Sequence, residues 1–287
     1  MTLSPSFADQ PLPTRKSHDG LVLPAIGFGT YKLRGNNDVK SIVSALDAGY
    51  RLLDSAVRYE NEGTVGQAVQ LSSVSREDII VTSKLPGKYQ SFDDALATVQ
   101  ESLMRTHLEY IDLYMIHWPN PLEDHYVDAW RGLIEAKKRG LVHHIGVSNF
   151  LPEHIQRLVA ETGVAPCVNQ IQLHPYLQQR EIKAFDDRND IITEAWSPLR
   201  RMRETLNDPT IVEIAEKHHA NPAQVVLRWH VDNGDVPIPK SQNPKRQLEN
   251  LDVMGFEFDD EDRRQLASLD SPNGSMGDFD PRTHQEM

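Results

Sequence analysis

The feature that most narrows the fold of this chain is a rhythm. Eight apolar runs bounded by turn residues recur along it: AIGFGTY, YRLLDSA, DIIVTSKL, YIDLYMIHW, HHIGVSNF, CVNQIQLH, DIITEAWS and VPIPKS. Helical patterns lie between them. Continuously apolar strands that alternate with helices specify a parallel sheet with both faces covered. Eight such units in 287 residues fit a (β/α)8 barrel, a fold of about 250 residues. A doubly wound sheet would carry a third glycine in its first turn, whereas GFGTYK has Gly27 and Gly29 followed by Lys32. The expectation is therefore a single α/β domain of TIM-barrel type spanning residues 1–287. A short hairpin through Asp19 and Gly20 precedes the first strand, and an irregular tail follows from about Asp270.

Helix signals sit where the barrel needs them. Ser91 with Asp94 makes a capping box, after which Leu96, Val99 and Leu103 fall on one face. Asp208-Pro209 and Asn221-Pro222 each place a polar cap before a proline at the first helical position, and a further helix is expected to begin near Pro244.

Composition removes several function classes. A net charge of -12 argues against broad contact with nucleic acid or an anionic membrane, since such binding is driven by Lys and Arg. The only cysteine, Cys167, lies in an apolar stretch and has no disulfide partner. The first residues contain Pro and Asp where a signal peptide is apolar, and no run approaches the roughly 20 apolar residues of a membrane span. A cytoplasmic monomer acting on a small molecule is expected. Metal catalysis is not, because the twelve histidines include no H-E-x-x-H pair.

In a barrel the site forms at the C-terminal ends of the strands, so the closing residue of each run carries the information. Here the runs close on Asp54, Lys84, His117, Ser148 with Asn149, Gln170, Ser197, and Lys240 with Ser241. Tyr59 follows shortly after Asp54. Adjacent strand ends would bring Asp54, Tyr59, Lys84 and His117 into one cleft as a proton-transfer group. A phenol, with a pKa of about 10, is always loaded as an acid at neutral pH. The Lys84 ammonium is expected to lower that value, and Asp54 to keep Lys84 charged. His117, whose reference pKa is about 6.5, is expected to be neutral beside the lysine and to orient a carbonyl oxygen.

These residues carry a resemblance. LLDSAVRYENE, VTSKL, DLYMIHWP, IGVSNF, VNQIQLHP, AWSPL and IPKSQNPKRQLEN resemble, in order and spacing, the motifs of the aldo-keto reductases, from about Gly20 to Asp270. The nearest group is the bacterial one related to 2,5-diketo-D-gluconic acid reductase. The resemblance implies an NADPH-dependent reductase of aldehydes or ketones, keto-sugar acids and 2-oxoaldehydes among them, with no metal. It puts the catalytic tetrad on Asp54, Tyr59, Lys84 and His117. For the cofactor it implies Trp196 stacked on the nicotinamide, with Ser148, Asn149 and Gln170 on its carboxamide. Lys240, Ser241 and Arg246 would take the 2'-phosphate, and Glu249 and Asn250 the adenine. Gly27, Thr30, Tyr31, Ser197, Leu199, Gln242 and Asn243 complete the cofactor set. Tyr31, Trp118 and the C-terminal tail would wall the substrate side.

The chain also departs from the family pattern. Lys84 is followed by LPGKYQ without the aromatic residue many relatives have, and AWSPL by RRMR in place of a glycine-containing loop. Arg200, Arg201 and Arg203 would clamp the cofactor pyrophosphate, attract an anionic substrate, or simply be solvated. Two other functions fit the same residue types: a nicotinamide-binding regulatory subunit with little turnover, and an aldolase forming a Schiff base on Lys84, which would need a neutral amine.

Overall fold

The computed structural model describes residues 12–200, 203–277 and 279–286. The first elements are β1 (Thr14–Lys16) and β2 (Val22–Pro24), an antiparallel hairpin. Its turn runs through Asp19 and Gly20, as expected. Gly20 takes a φ of 94°, and Asp19 Oδ1 accepts hydrogen bonds from Ser17 Oγ and the Leu21 amide. Leu21 and Leu23 pack with Leu52, Leu113, Met115, Val168 and Ile192 of the barrel interior. The hairpin therefore plugs one end of the barrel.

The eight expected runs all contain strands: β3 (Phe28–Gly29), β4 (Leu52–Asp54), β5 (Ile80–Leu85), β6 (Ile111–Ile116), β7 (Val142–Ser148), β8 (Val168–Gln172), β9 (Ile192–Trp196) and β10 (Val236–Pro237). They pair in chain order and all pairs are parallel. The sheet then closes on itself. Gly27 N donates to Pro237 O at 2.9 Å and Gly29 N to Pro239 O at 3.2 Å. Pro237 and Pro239 have no amide hydrogen to return, so this seam carries acceptor bonds alone and its strands are the shortest of the barrel. Glycine is required there: a Cβ on Gly29 would stand 2.7 Å from Ile238 O.

Helices cover the outside as their signals predict. Ser91 caps Phe92–Thr106, Asp208 caps Pro209–Lys217, Asn221 caps Pro222–Asp232 in a capping box with Gln224, and Asn243 caps Pro244–Leu251. One detail differs. The buried face of Phe92–Thr106 is Ala95, Thr98, Val99, Ser102 and Thr106, with Leu96 and Leu103 half-buried at its edges. Polar residues can face inward here because Thr98 Oγ1 donates to Asp94 O and Ser102 Oγ meets the Tyr114 hydroxyl at 2.8 Å.

The interior changes character along the barrel axis. Apolar side chains fill the hairpin end, while Asp54, Lys84, Gln170 and Glu194, buried to 2% exposure or less, occupy the end where the strands finish. Among the described residues after Asp270 there is no regular structure, as expected. The tail nevertheless stays on the molecule, folding back over the strand ends.

Candidate active site

Lys84 organises the site. Its register two residues beyond the Asp54–Thr82 pairing lets the long side chain meet the end of the neighbouring strand. Lys84 Nζ donates to Asp54 Oδ1 at 2.5 Å and to Ser55 O at 2.9 Å. Burial works against the charged amine, but the charges and hydrogen bond around it, Asp54 foremost, hold its pKa above the ordinary lysine value. A protonated lysine cannot attack a carbonyl, which removes the basis for the Schiff-base aldolase.

Tyr59 closes a 3-10 turn, Val57–Tyr59, that ends where Glu60 adopts a φ of 52°. This turn carries the phenol over the cleft. The ring centroid lies 5.1 Å from Lys84 Nζ, 5.9 Å from the His117 ring and 5.0 Å from the Tyr31 ring. One expectation fails here. Burial pushes the Tyr59 hydroxyl up to about 12 and outweighs the lowering effect of Lys84, while the charges of Asp54 and Glu286 add to the rise. The residue as a whole is half-buried, while its hydroxyl group lies in buried surroundings.

His117 stands just past β6, its amide donating to Leu85 O at 3.0 Å. The Glu286 carboxylate approaches its Nδ1 to 2.9 Å, although the approach lies off the N–H axis and forms no aligned hydrogen bond. The other carboxylate oxygen accepts from the Gly87 amide at 3.2 Å. Asn120 grips the backbone of the same residue twice, donating to Glu286 O at 2.7 Å and accepting from Glu286 N at 2.9 Å. The penultimate residue of the chain is thus part of the histidine's surroundings.

The remaining candidates divide into three groups. In the first, Ser148, Asn149, Gln170 and Trp196 form a connected set. Trp196 Nε1 donates to Asn149 Oδ1 at 2.8 Å, Asn149 Nδ2 donates to His117 O and to Ser148 Oγ, and Ser148 Oγ donates to Gln170 O. Gln170 Nε2 spends both its hydrogens on acids, Asp54 Oδ1 at 2.8 Å and Glu194 Oε1 at 3.0 Å, so its amide oxygen is what it can offer a ligand. Ser197, at φ 52°, and buried Leu199 continue from Trp196. In the second group, Lys240, Gln242, Asn243 and Arg246 are exposed around the start of the helix Pro244–Leu251. Glu249 and Asn250 lie further along that helix, half-buried and buried, and Ser241 is buried beneath the loop. Exposed cations at a helix N-terminus suit a phosphate.

The third group meets protein atoms of the barrel seam and of the cleft rim. Gly27 faces Leu52 and Ile238, where a Cβ would meet Leu52 at 2.7 Å, so it serves barrel closure. Thr30 is fully buried, its hydroxyl donating to Asp54 O at 2.7 Å and accepting from Asn61 Nδ2 at 3.1 Å. Tyr31 is exposed at the rim. Trp118 is buried beneath the tail, with His284 at 4.1 Å and Phe279 at 6.0 Å. Arg200 lies over the Tyr176 ring and pairs loosely with Glu204 at 3.5 Å; Arg201 falls outside the described residues. A cavity of about 300 Å³ runs under the tail, lined by Asn149, Gln172, Trp196 and Phe279. A larger one, about 410 Å³, lies between outer helices at Lys183, Trp229 and Arg263 and shares none of the strand-end residues.

With this geometry in place, comparison with known proteins settles the family. Residues 25–271 match the model of the aldo/keto reductase family. The chain belongs to the aldo/keto reductase family. It is 48% identical to 2,5-diketo-D-gluconic acid reductase B of Corynebacterium over 96% of this chain and 99% of that protein. It is 44% identical to methylglyoxal reductase DkgA of Escherichia coli K12, over 89% of this chain and 92% of the relative. Among solved structures, a mutant of Gox0644 in complex with NADPH superposes with a TM-score of 0.91 at 42% identity, covering 96% of this chain and all of the other.

Three residues of this aldo/keto reductase escape a reading of strand ends. Glu194 lies in the middle of its run, where a carboxylate amid apolar neighbours was the available signal. Asn120 and Glu286 meet only because the tail returns, which no local pattern announces. Among the described residues one cluster has metal-ligand chemistry, Asp19, His144 and Cys167. It sits by the hairpin turn, and its carboxylate is already held by Lys137 and His144 at 2.9 Å each.

Proposed function

We propose that this chain reduces small aldehydes and ketones with NADPH, with Tyr59 as proton donor, Lys84 and Asp54 behind it, and His117 orienting the carbonyl oxygen. The observation that carries the reading is the buried Lys84–Asp54 pair at 2.5 Å directly under the Tyr59 ring. The chain fits the cofactor: Gln170 presents an amide oxygen, the indole of Trp196 is fixed by Asn149, and Lys240 and Arg246 are exposed at a helix start. Bound NADPH supplies a hydride equivalent to the carbonyl carbon. The protein holds that carbon in place, and Tyr59 gives its proton to the oxygen as charge develops there.

Relatives named for 2,5-diketo-D-gluconic acid and for methylglyoxal support keto-sugar acids and 2-oxoaldehydes as substrates. The same proposal includes a single catalytic domain acting as a cytoplasmic monomer. The tail of the same chain covers the mouth, the one thiol is buried and unpaired, and no described helix is long and apolar enough to cross a membrane. Oxidation of NADPH and NADH, followed over a panel of these carbonyls, tests the reading. Turnover with NADPH is expected to exceed that with NADH, and no turnover on any carbonyl would refute it.

A further inference from the structure

Behind the tetrad the barrel encloses more acid than base. Lys84 and Glu194 are fully buried and Asp54 is 2% exposed, and Lys84 is the one cation among the three. Asp54 has two good donors, Lys84 Nζ and Gln170 Nε2, and so is the ionised partner. Glu194 has only the second hydrogen of Gln170, at 3.0 Å, and its Oε2 is buried with no partner at all. A sealed site of this kind does not hold two carboxylates against one ammonium, since an uncompensated buried charge costs far more than a proton.

We propose that Glu194 is a positioning residue that carries a proton in the active enzyme, balances the Lys84–Asp54 pair behind Tyr59, and weakens the acid when it ionises. The groups facing it are Asp54 from β4, Lys84 from β5 and Gln170 from β8, while its register partner on β10 is the apolar Val236. Burial, with the Asp54 charge adding to it, pushes Glu194 up to about 8, against the pull of Lys84 and Gln170. With Glu194 neutral, the two remaining charges, Lys84 and Asp54, sum to zero. Once it ionises, the cluster behind Tyr59 is net negative, and a tyrosinate forming as the proton leaves is disfavoured. Tyr59 itself, near 12, titrates too high to produce a loss of reduction around pH 8 to 9.

The proposal rests on the reductase reading, and two measurements separate them. The first is kcat for carbonyl reduction at saturating NADPH, from about pH 6 to about pH 10, for wild type, Glu194→Gln and Glu194→Asp. Wild type should lose activity with a midpoint near 8; Glu194→Gln, which cannot ionise, should shift that midpoint upward by at least about one pH unit. Glu194→Asp keeps an ionisable group and should keep the alkaline loss. The second measurement is Tm against pH without substrate. Glu194 has a folded value above its unfolded 4.5, so its stabilisation is complete below the unfolded value and fades as pH rises through about 8. The Tm of wild type relative to Glu194→Gln should fall across that window. Superimposable alkaline limbs, or a Tm difference constant with pH, would overturn the proposal. If no carbonyl is reduced by any of the proteins, the functional reading fails and the Tm comparison alone decides on Glu194.

Discussion

Tyr59 must release a proton from surroundings that make it a poor acid in the resting site. A hydroxyl near 12 stays protonated at every working pH, so the donor is always loaded, and its transfer depends on charge developing on the substrate oxygen beside Lys84. Tyr59→Phe removes the proton and leaves Gln170, Trp196 and the phosphate cations untouched. Reduction is expected to fall about a hundred- to ten-thousandfold, with NADPH affinity, read by fluorescence titration, changed little; near-full activity would exclude Tyr59 as the donor. Lys84→Met is expected to do comparable damage and to destabilise as well, since it leaves the Asp54 carboxylate buried without its cation at a cost of about 3 to 5 kcal/mol, measurable by denaturant titration. The four residues of this group were legible in the sequence because each ends, or lies just past, an apolar run. The acidity of Tyr59 was not legible. A sequence shows that a cation is near, but whether burial outweighs it depends on how completely the hydroxyl is enclosed.

Among the elements, the seam between β3 and β10 has the least tolerance. Its amides come from Gly27 and Gly29 alone, and the prolines opposite return none. In Gly29→Ala the new Cβ would stand 2.7 Å from a backbone carbonyl, which moves only if the strand moves. A loss of about 1 to 3 kcal/mol is expected, seen as a lower urea midpoint, and because the same added Cβ would lie 3.8 Å from Lys240 Cβ, NADPH affinity should weaken too. Gly20→Ala, with open space around it but a φ of 94°, should cost stability through backbone strain alone and leave the cofactor site unaffected. The order of elements was readable because helix caps and apolar runs are local signals. Seam chemistry was not: the resemblance assigns Gly27 of GFGTY to the cofactor, and the closing role of Gly27 and Gly29 emerges only when the first and last strands meet. The same limit explains Leu96 and Leu103, which share helical spacing with Val99 but not its depth.

At the scale of the whole molecule, the tail joins the C-terminal segment to the catalytic cleft, because Glu286 approaches His117. Two hydrogen bonds between Asn120 and the Glu286 backbone, one donated and one accepted by Asn120, hold it, worth together about 1 to 3 kcal/mol. Phe279 and His284 add apolar contact with Trp118 and Trp196. Asn120 sits at a φ of 46°, so Asn120→Gly removes both bonds without forcing a branched residue into the left-handed region. The undocked population of the tail should rise roughly ten- to a hundredfold. Limited proteolysis would then cut beyond Asp270 faster in the variant. KM for small aldehydes should rise more than kcat falls, since the pocket wall is lost while Lys84, Asp54 and Tyr59 stay in place. Glu286→Gln separates the wall from the charge: the backbone grip survives, the carboxylate beside His117 and Arg58 does not, and KM should stay near wild type while kcat changes. A variant Asn120→Gly with wild-type proteolysis and KM would show that the tail is held by its apolar contacts, and the Asn120 grip would then be incidental to closing the site.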